Sequence, residues 1–231
     1  ESQVPEWINR EEVNIVLHKD IIPAEHLPTF CSNTIELHMH RIEGLDEEFL
    51  YFNDDIFPML RCEPTDFFRD GKGIIGMSRH WFAPDMFKRI CRNSDRAARK
   101  ALGLRTPLYF LRPQHICAPM LRSESKRVYD ILEKDILASL TSTRTERSIT
   151  QYLFTDLLYV QGRIIARRQP RRHFSVGIAS AEKISKYLLN PDRKLVCIND
   201  VKLSEERYEK MRTTLHTSFE RVFPEKSKFE I

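Results

Sequence analysis

The chain has 231 residues, of which 41% are apolar and 30% charged, a balance that suits a soluble globular protein with one substantial core and excludes disorder. No run of about eighteen apolar residues is present and the first residues carry neither a basic start nor an apolar signal core, so neither a spanning helix nor export is expected and the reading is cytoplasmic. Five cysteines, odd in number and never in a Cys-x-x-Cys pair, argue for reduced thiols rather than a disulfide frame or a zinc knuckle, and the net charge of +4 is modest.

In chain order, the apolar, β-branched run at 14–18 predicts a strand, followed by a loop punctuated by Pro23 and Pro28. Asn33 with Glu36 three residues later reads as a capping box that opens a helix carrying His38, His40 and Arg41 and stopping near Gly44. Residues 49–52 are short and uniformly apolar, which predicts a strand inside a sheet. In open α/β sheets active residues gather beyond the carboxyl ends of strands, where Asn53, Asp54 and Asp55 would lie. Adjacent carboxylates at such a position repel and call for a cation or a proton; the plainer alternative is an exposed Asn-Asp-Asp turn.

Further on, the segment 58–81 mixes turns with a short strand pattern at 73–77. Helices are predicted at 84–102, 123–140, 148–161, 181–189 and 204–222, with a Pro-rich passage around His115 and a last strand at 194–198. The segment 163–173 concentrates five arginines and suits either an anionic surface, including the inner membrane face, or a solvated loop. It has no interleaved aromatics, so nucleic acid is not expected as a partner. His38 and His40 are two apart and point to different helix sides, so they do not share one metal, whereas Glu36 and His40 share a face.

The wording of residues 26–57, HLPTFCSNTIELHMHRIEGLDEEFLYFNDDIF, resembles the second conserved region of the Stealth family of sugar-phosphate transferases. The resemblance extends to RPQHICAP at 112–119, TSTRTERS at 141–148 and KLVCIND at 194–200. It implies an α/β fold with a central mixed sheet flanked by helices, similar to nucleotide-sugar transferases of Rossmann-like or GT-A-like type, with a helical C-terminal half and a single catalytic domain over 1–231. It also implies an activity, the transfer of a sugar-1-phosphate from a nucleotide sugar such as UDP-N-acetylglucosamine to a glycan hydroxyl in capsular or exopolysaccharide synthesis.

By position, Glu36, Asp55, His115 and Arg147 match the family's catalytic residues, with Arg144 as the nearby alternative to Arg147. Ser32 matches the donor-binding serine, Asn199 a donor or substrate contact, and Arg92, Asn93 and Arg96 fall where relatives have basic residues near the pyrophosphate. Asp54 and Asp55 would hold a divalent cation, Mg or Mn, and Asp200 would position that cation or cap the next helix. Ala118 departs from the pattern, since relatives often carry a second histidine there. The family's first region is expected ahead of VPEW at 4–7 and is not in this sequence, which would leave a sheet edge for another copy of the chain to cover, giving a homo-oligomer. Three rival readings stay open: an idle chain or anionic-glycan-binding module working through 163–172, a nucleotide-sugar glycosyltransferase, and a metal-dependent phosphoesterase.

Overall fold

A computed structural model describes residues 4–231. Its elements in chain order are α1 (His18–Ile21), α2 (Ser32–Glu36), β1 (Glu48–Tyr51), β2 (Ile56–Pro58), α3 (Pro64–Phe67), β3 (Phe68–Arg69), β4 (Lys72–Ile75), β5 (Met77–His80), α4 (Met86–Ala101), β6 (Phe110–Pro113), β7 (Ala118–Leu121), α5 (Arg122–Ser139), α6 (Tyr152–Val160), β8 (Ile164–Ala166), β9 (Arg171–Ser175), α7 (Ala181–Leu188), β10 (Leu195–Asn199) and α8 (Glu205–Val222). They fall into two compact units. A sheet unit comprises the described residues up to Ile15, Phe52–Glu63 and Pro170–Ile231, and a helical unit comprises Val16–Tyr51 and Pro64–Gln169.

In the sheet unit, β10 lies between β2, antiparallel, and β9, parallel. A middle strand covered on both faces should be apolar throughout, and Leu195 to Ile198 are all buried. Val196 and Ile198 pack with Phe174 and Met59, and the layer is closed by Ile184 and Leu188 of α7 and Met211 of α8. Side chains of this kind each contribute about 1.5–3 kcal/mol when fully buried. The Ser218 hydroxyl of α8 donates to the Thr214 carbonyl and accepts from the Ser185 hydroxyl of α7 at 2.7 Å, joining the two helices at a part-buried polar point.

The helical unit is built on α4, which packs on α6 and β6 and touches α5. Asp85 caps α4 by accepting from the Lys88 amide at 2.8 Å, and Gly103, at φ +66°, takes the left-handed turn that ends it. α6 is buried from Tyr152 to Leu158. Three small sheets border these helices: β1 with β7, β3 with β4 and β8, and β5 with β6. β4 runs parallel to β8, and Gly73 is needed there because a Cβ would come within 2.9 Å of Pro119.

The α/β class holds, but the predicted single central sheet is replaced, among the described residues, by four short ones. Prolines 58, 113 and 119 sit within strands, and each removes a ladder donor that a wider sheet would need. The predicted strand at 14–18 is absent; Asp20 instead accepts from the Leu17 amide at 2.7 Å and starts α1. The segment 49–52 is not inside a sheet: β1 pairs only with β7 and is half-buried. The arginine-rich 163–173 is not an open loop, since β8 and β9 occupy most of it.

Candidate active site

The predicted capping box does not form. α2 begins after Cys31 with no side-chain cap, ends at Glu36, and gives way to a 3-10 turn at Met39–Arg41. The Glu36 carboxylate, 4% exposed, is drawn to the far end of the unit's sequence instead. It accepts from Thr150 Oγ1 at 2.5 Å, from the Gln151 amide at 3.2 Å and from Tyr51 Oη at 3.1 Å. A buried carboxylate needs such donors, and three of them fix both of its oxygens.

The rest of α2 is fastened to the same segment. Arg144 Nη2 donates to Ser32 Oγ at 2.8 Å, Thr34 Oγ1 donates to the Thr141 carbonyl at 3.4 Å, and the Phe30 amide donates to the Ser142 carbonyl at 3.0 Å. Residues 141–151 are thereby held along α2 from Ser32 to Glu36. From the other side Asn93 of α4 donates to the carbonyls of Glu146 at 2.9 Å and Ser148 at 3.2 Å, the two residues that flank Arg147. Arg89 of α4 pairs with Glu146. Thr150 is tied to α4 as well, its amide donating to Ser94 Oγ at 3.1 Å.

What this bracket presents is Arg147 at an open cavity of about 330 Å³. Asn93, Arg96 and Lys100 of α4, spaced three and four apart, supply one wall, and Asp135 and Ser139 of α5 supply another. Lys100 is neutralised by Asp135 at 2.8 Å, whereas neither Arg96 nor Arg147 has a carboxylate at salt-bridge distance among the described residues. Two uncompensated guanidiniums facing one cavity make a site for phosphate oxygens, which they can meet with paired donors while keeping their charge. Of the predicted donor residues, Arg96 is therefore brought to Arg147, while Arg92 does not line the cavity and its buried Nε has no partner.

His38 and His40 are packed rather than presented. His38 Nδ1 lies 2.7 Å from the Thr34 carbonyl, which makes it the donor, and Nε2 lies 3.1 Å from Tyr129 Oη. His40 packs on Tyr129 with the rings tilted and their centroids 4.8 Å apart, and the Arg41 guanidinium lies 5.0 Å from the same ring. Burial and then the Arg41 charge lower the His40 pKa to about 4, so its ring is neutral near pH 7. Both histidines seat α2 on α5.

His115 follows β6, as the motif implies, but is followed by β7 before α5 begins. Its neighbour Gln114 is locked: the Gln114 side chain donates to the Gln169 carbonyl at 2.8 Å and accepts from the Gln169 amide at 2.9 Å, and the Gln169 side chain donates in turn to the Ile74 carbonyl at 3.1 Å. His115, half-buried, thus stands on a fixed backbone.

In the sheet unit, Asn53, Asp54 and Asp55 form a turn into β2, with the Ile56 amide donating to the Asn53 carbonyl at 3.2 Å. Asp54 is exposed; Asp55 is half-buried and its Oδ2 accepts from Cys197 Sγ of β10 at 3.3 Å. Burial first, and then the Asp55 carboxylate, push the Cys197 thiol up to about 12. The thiol therefore stays protonated and acts as a donor. Asn199 ends β10, its carbonyl accepting from the Val176 amide at 3.1 Å, and Asp200 is exposed. Asp200 does not cap α8, whose N-cap position is taken by Ser204 without a side-chain cap bond. Asp54 and Asp55 carry hard carboxylate oxygens, the donor type that Mg takes alongside substrate phosphates.

The arginine run is dispersed. Arg163 pairs with Glu124 at 3.2 Å in the helical unit, and Arg172 of β9 lies over the rings of Phe174 and Tyr187 in the sheet unit.

The motif spacing has a counterpart among known proteins: residues 1–75 match the family description "Stealth protein CR2, conserved region 2". Over 90% of its length the chain is 27% identical to the capsular polysaccharide phosphotransferase fcs1 of Haemophilus influenzae, covering 62% of that protein. It is 27% identical over its whole length to the exopolysaccharide phosphotransferase cps2G of Lactiplantibacillus plantarum, and 29% identical to the receptor polysaccharide phosphotransferase WefC of Streptococcus oralis, covering 78% and 79% of them. The chain spans only 62% and 54% of the first two relatives it matches. The family resemblance read from the motifs is borne out. No helix among the described residues is long and apolar enough to cross a membrane.

Proposed function

We propose that the chain is a sugar-phosphate transferase of capsular or exopolysaccharide synthesis, moving a sugar-1-phosphate from a nucleotide sugar to a glycan hydroxyl. The observation that carries this reading is the cavity in which Arg96 and Arg147 stand unpaired while Asn93, Ser32 and Glu36 hold the Arg147 loop from two sides. In phosphoryl transfer the protein's contribution is mostly positioning and neutralisation of the equatorial oxygens. Arg147 and Arg96 are assigned to the phosphate oxygens, and Asn93 to keeping Arg147 aimed.

Glu36 has both oxygens engaged by three donors, so it is assigned to positioning rather than to taking the acceptor proton. The base is then Asp55 or His115. Whichever it is removes the acceptor hydroxyl proton, the oxygen bonds to the sugar-proximal phosphorus, and the bond from phosphorus to the nucleoside monophosphate breaks. Asp54 and Asp55 would hold Mg or Mn, which supplies charge neutralisation when bound.

The test is calorimetric titration of the chain with UDP-N-acetylglucosamine and magnesium. An arginine-to-phosphate contact is worth about 1.5–3 kcal/mol, so Arg147→Ala should weaken binding about tenfold to a hundredfold. Equal binding by Arg147→Ala and Arg96→Ala would refute the placement of the phosphate in this cavity. If instead simple phosphodiesters are hydrolysed with no nucleotide sugar present, the transferase reading fails.

A further inference from the structure

Large apolar side chains exposed singly are ordinary on any protein surface. One group on the helical unit is not single. β5 and β6 are antiparallel with His80 opposite Phe110 at their ends, so the chain leaves the ribbon through Trp81 and Phe82 on one side and arrives through Leu108 and Tyr109 on the other. The Trp81 and Tyr109 rings are 5.9 Å apart. Yet Trp81 is 62% exposed, Phe82 82% and Leu108 90%. Side chains that open to solvent stand proud of the ribbon end; they do not line a groove into which a peptide could be laid.

The charges nearest them are mostly basic, with Asp85, the cap of α4, the first carboxylate along the chain after Phe82. The Arg79 guanidinium lies 4.9 Å from the Tyr109 ring, Arg105 is exposed on the loop that leads to Leu108, and neither 79–84 nor 102–109 contains an aspartate or glutamate. Tryptophan and other apolar side chains flanked by arginine match the boundary of a bilayer whose headgroups are anionic: the rings enter the headgroup and acyl boundary and the guanidiniums meet the phosphates.

We propose that the tip formed by Trp81, Phe82 and Leu108, flanked by Arg79 and Arg105, docks on a bilayer surface that carries anionic headgroups. It is a different place from the arginine-rich 163–172, where Arg163 is already paired and Arg172 lies over aromatic rings. The inference does not depend on the transferase reading, because none of these residues lines the cavity at Arg147.

The experiment is co-sedimentation of the full chain with phosphatidylcholine vesicles and with vesicles containing about 30% phosphatidylglycerol. The expected result is sedimentation with the anionic vesicles only, weakened by salt at about 0.5 M. The triple variant Trp81→Ser, Phe82→Ser, Leu108→Ser should partition about tenfold less, and Arg105→Glu severalfold less. Thermal melting and nucleotide-sugar binding should be unchanged in both, which separates lost docking from lost folding. The proposal is overturned if the wild type ignores anionic vesicles, if it binds neutral ones equally, or if the triple variant binds as the wild type does. It is also overturned if the triple variant abolishes self-association of a wild type that does not bind vesicles, since the occupant is then a second copy of the chain.

Discussion

Glu36→Gln distinguishes a positioning carboxylate from a base that acts on the acceptor. Glutamine keeps the length of the side chain but offers one acceptor oxygen where the carboxylate offers two, and it turns an amide N–H₂ toward the Thr150 hydroxyl or the Gln151 amide. At a site 4% exposed no water is at hand to replace the lost acceptor. Hydrogen bonds to a charged group contribute about 1.5–3 kcal/mol, and leaving a buried donor unmade costs about 1–3 kcal/mol. Because the three donors share one acceptor group the terms do not add, and a net destabilisation of about 2–4 kcal/mol is expected. In a protein of this size that corresponds to a fall of about 4–16 °C in melting temperature, measurable by calorimetry or circular dichroism. Donor binding should weaken in parallel, since Thr150 and Gln151 follow Arg147 in the same held segment, and a double-mutant cycle with Thr150→Val should show coupling of about 1 kcal/mol or more. A Glu36→Gln protein that melts with the wild type and binds donor normally, yet has lost transfer, would refute the positioning role and make Glu36 the base.

Other outcomes follow from buried groups. Asp156 is fully buried, neither carboxyl oxygen has a partner, and burial followed by the Asp95 charge raises its pKa well above the ordinary value. The folded state therefore holds a proton that the unfolded chain releases near pH 4, so this group costs stability increasingly as pH rises from there toward its folded pKa. Asp156→Asn should flatten that decline in chemical denaturation, leaving the variant the more stable of the two at about pH 8; parallel curves for the two proteins would contradict it. His40 works with the opposite sense: with a folded pKa of about 4, its contribution is complete above about pH 6.5 and is lost as pH falls toward 4, and NMR titration should find the ring neutral at about pH 6. Of the five cysteines only Cys62 is more than marginally accessible, so a thiol reagent should modify one group quickly in the native chain and the other four only on unfolding; rapid labelling of Cys197 would be inconsistent with a buried thiol held near 12.

Elements whose signals are local were legible in the sequence. Helix α4 is read from its periodicity and its stop at Gly103, and α8 from the acidic first turn and Pro224; both lie within two residues of the predicted bounds. Strands whose partners are far away were not. β8 finds β4 about ninety residues back, and its two isoleucines are flanked by arginines that make the stretch read as a solvated run. β6 and β7 were hidden by the prolines around His115.

The candidate site divides the same way. Arg96 and Arg147 were picked out by motif, but that they face one cavity depends on α4 and on a loop more than fifty residues later. Asn93 was grouped with Arg92 and Arg96 as a neighbour of the pyrophosphate; its bonds to the carbonyls of Glu146 and Ser148, which flank Arg147, depend on a segment the motif does not connect to it. Glu36 misled for a physical reason, because the spacing that makes a capping box also suits a carboxylate taken by Thr150, 114 residues away.

The division into units has a practical consequence for anyone who would dissect the chain. The polypeptide passes from one unit to the other after residues 15, 51, 63 and 169, so neither unit is a continuous stretch that a gene fragment could encode. The longest uninterrupted piece of the helical unit, Pro64–Gln169, carries Arg96 and Arg147 but lacks Ser32 and Glu36, the latch on the Arg147 loop. Such a fragment would keep the cations and lose their aim, and inactivity in it would say nothing about whether the arginines matter. A faithful excision has to splice Tyr51 to Pro64 and keep the stretch from Val16 onward.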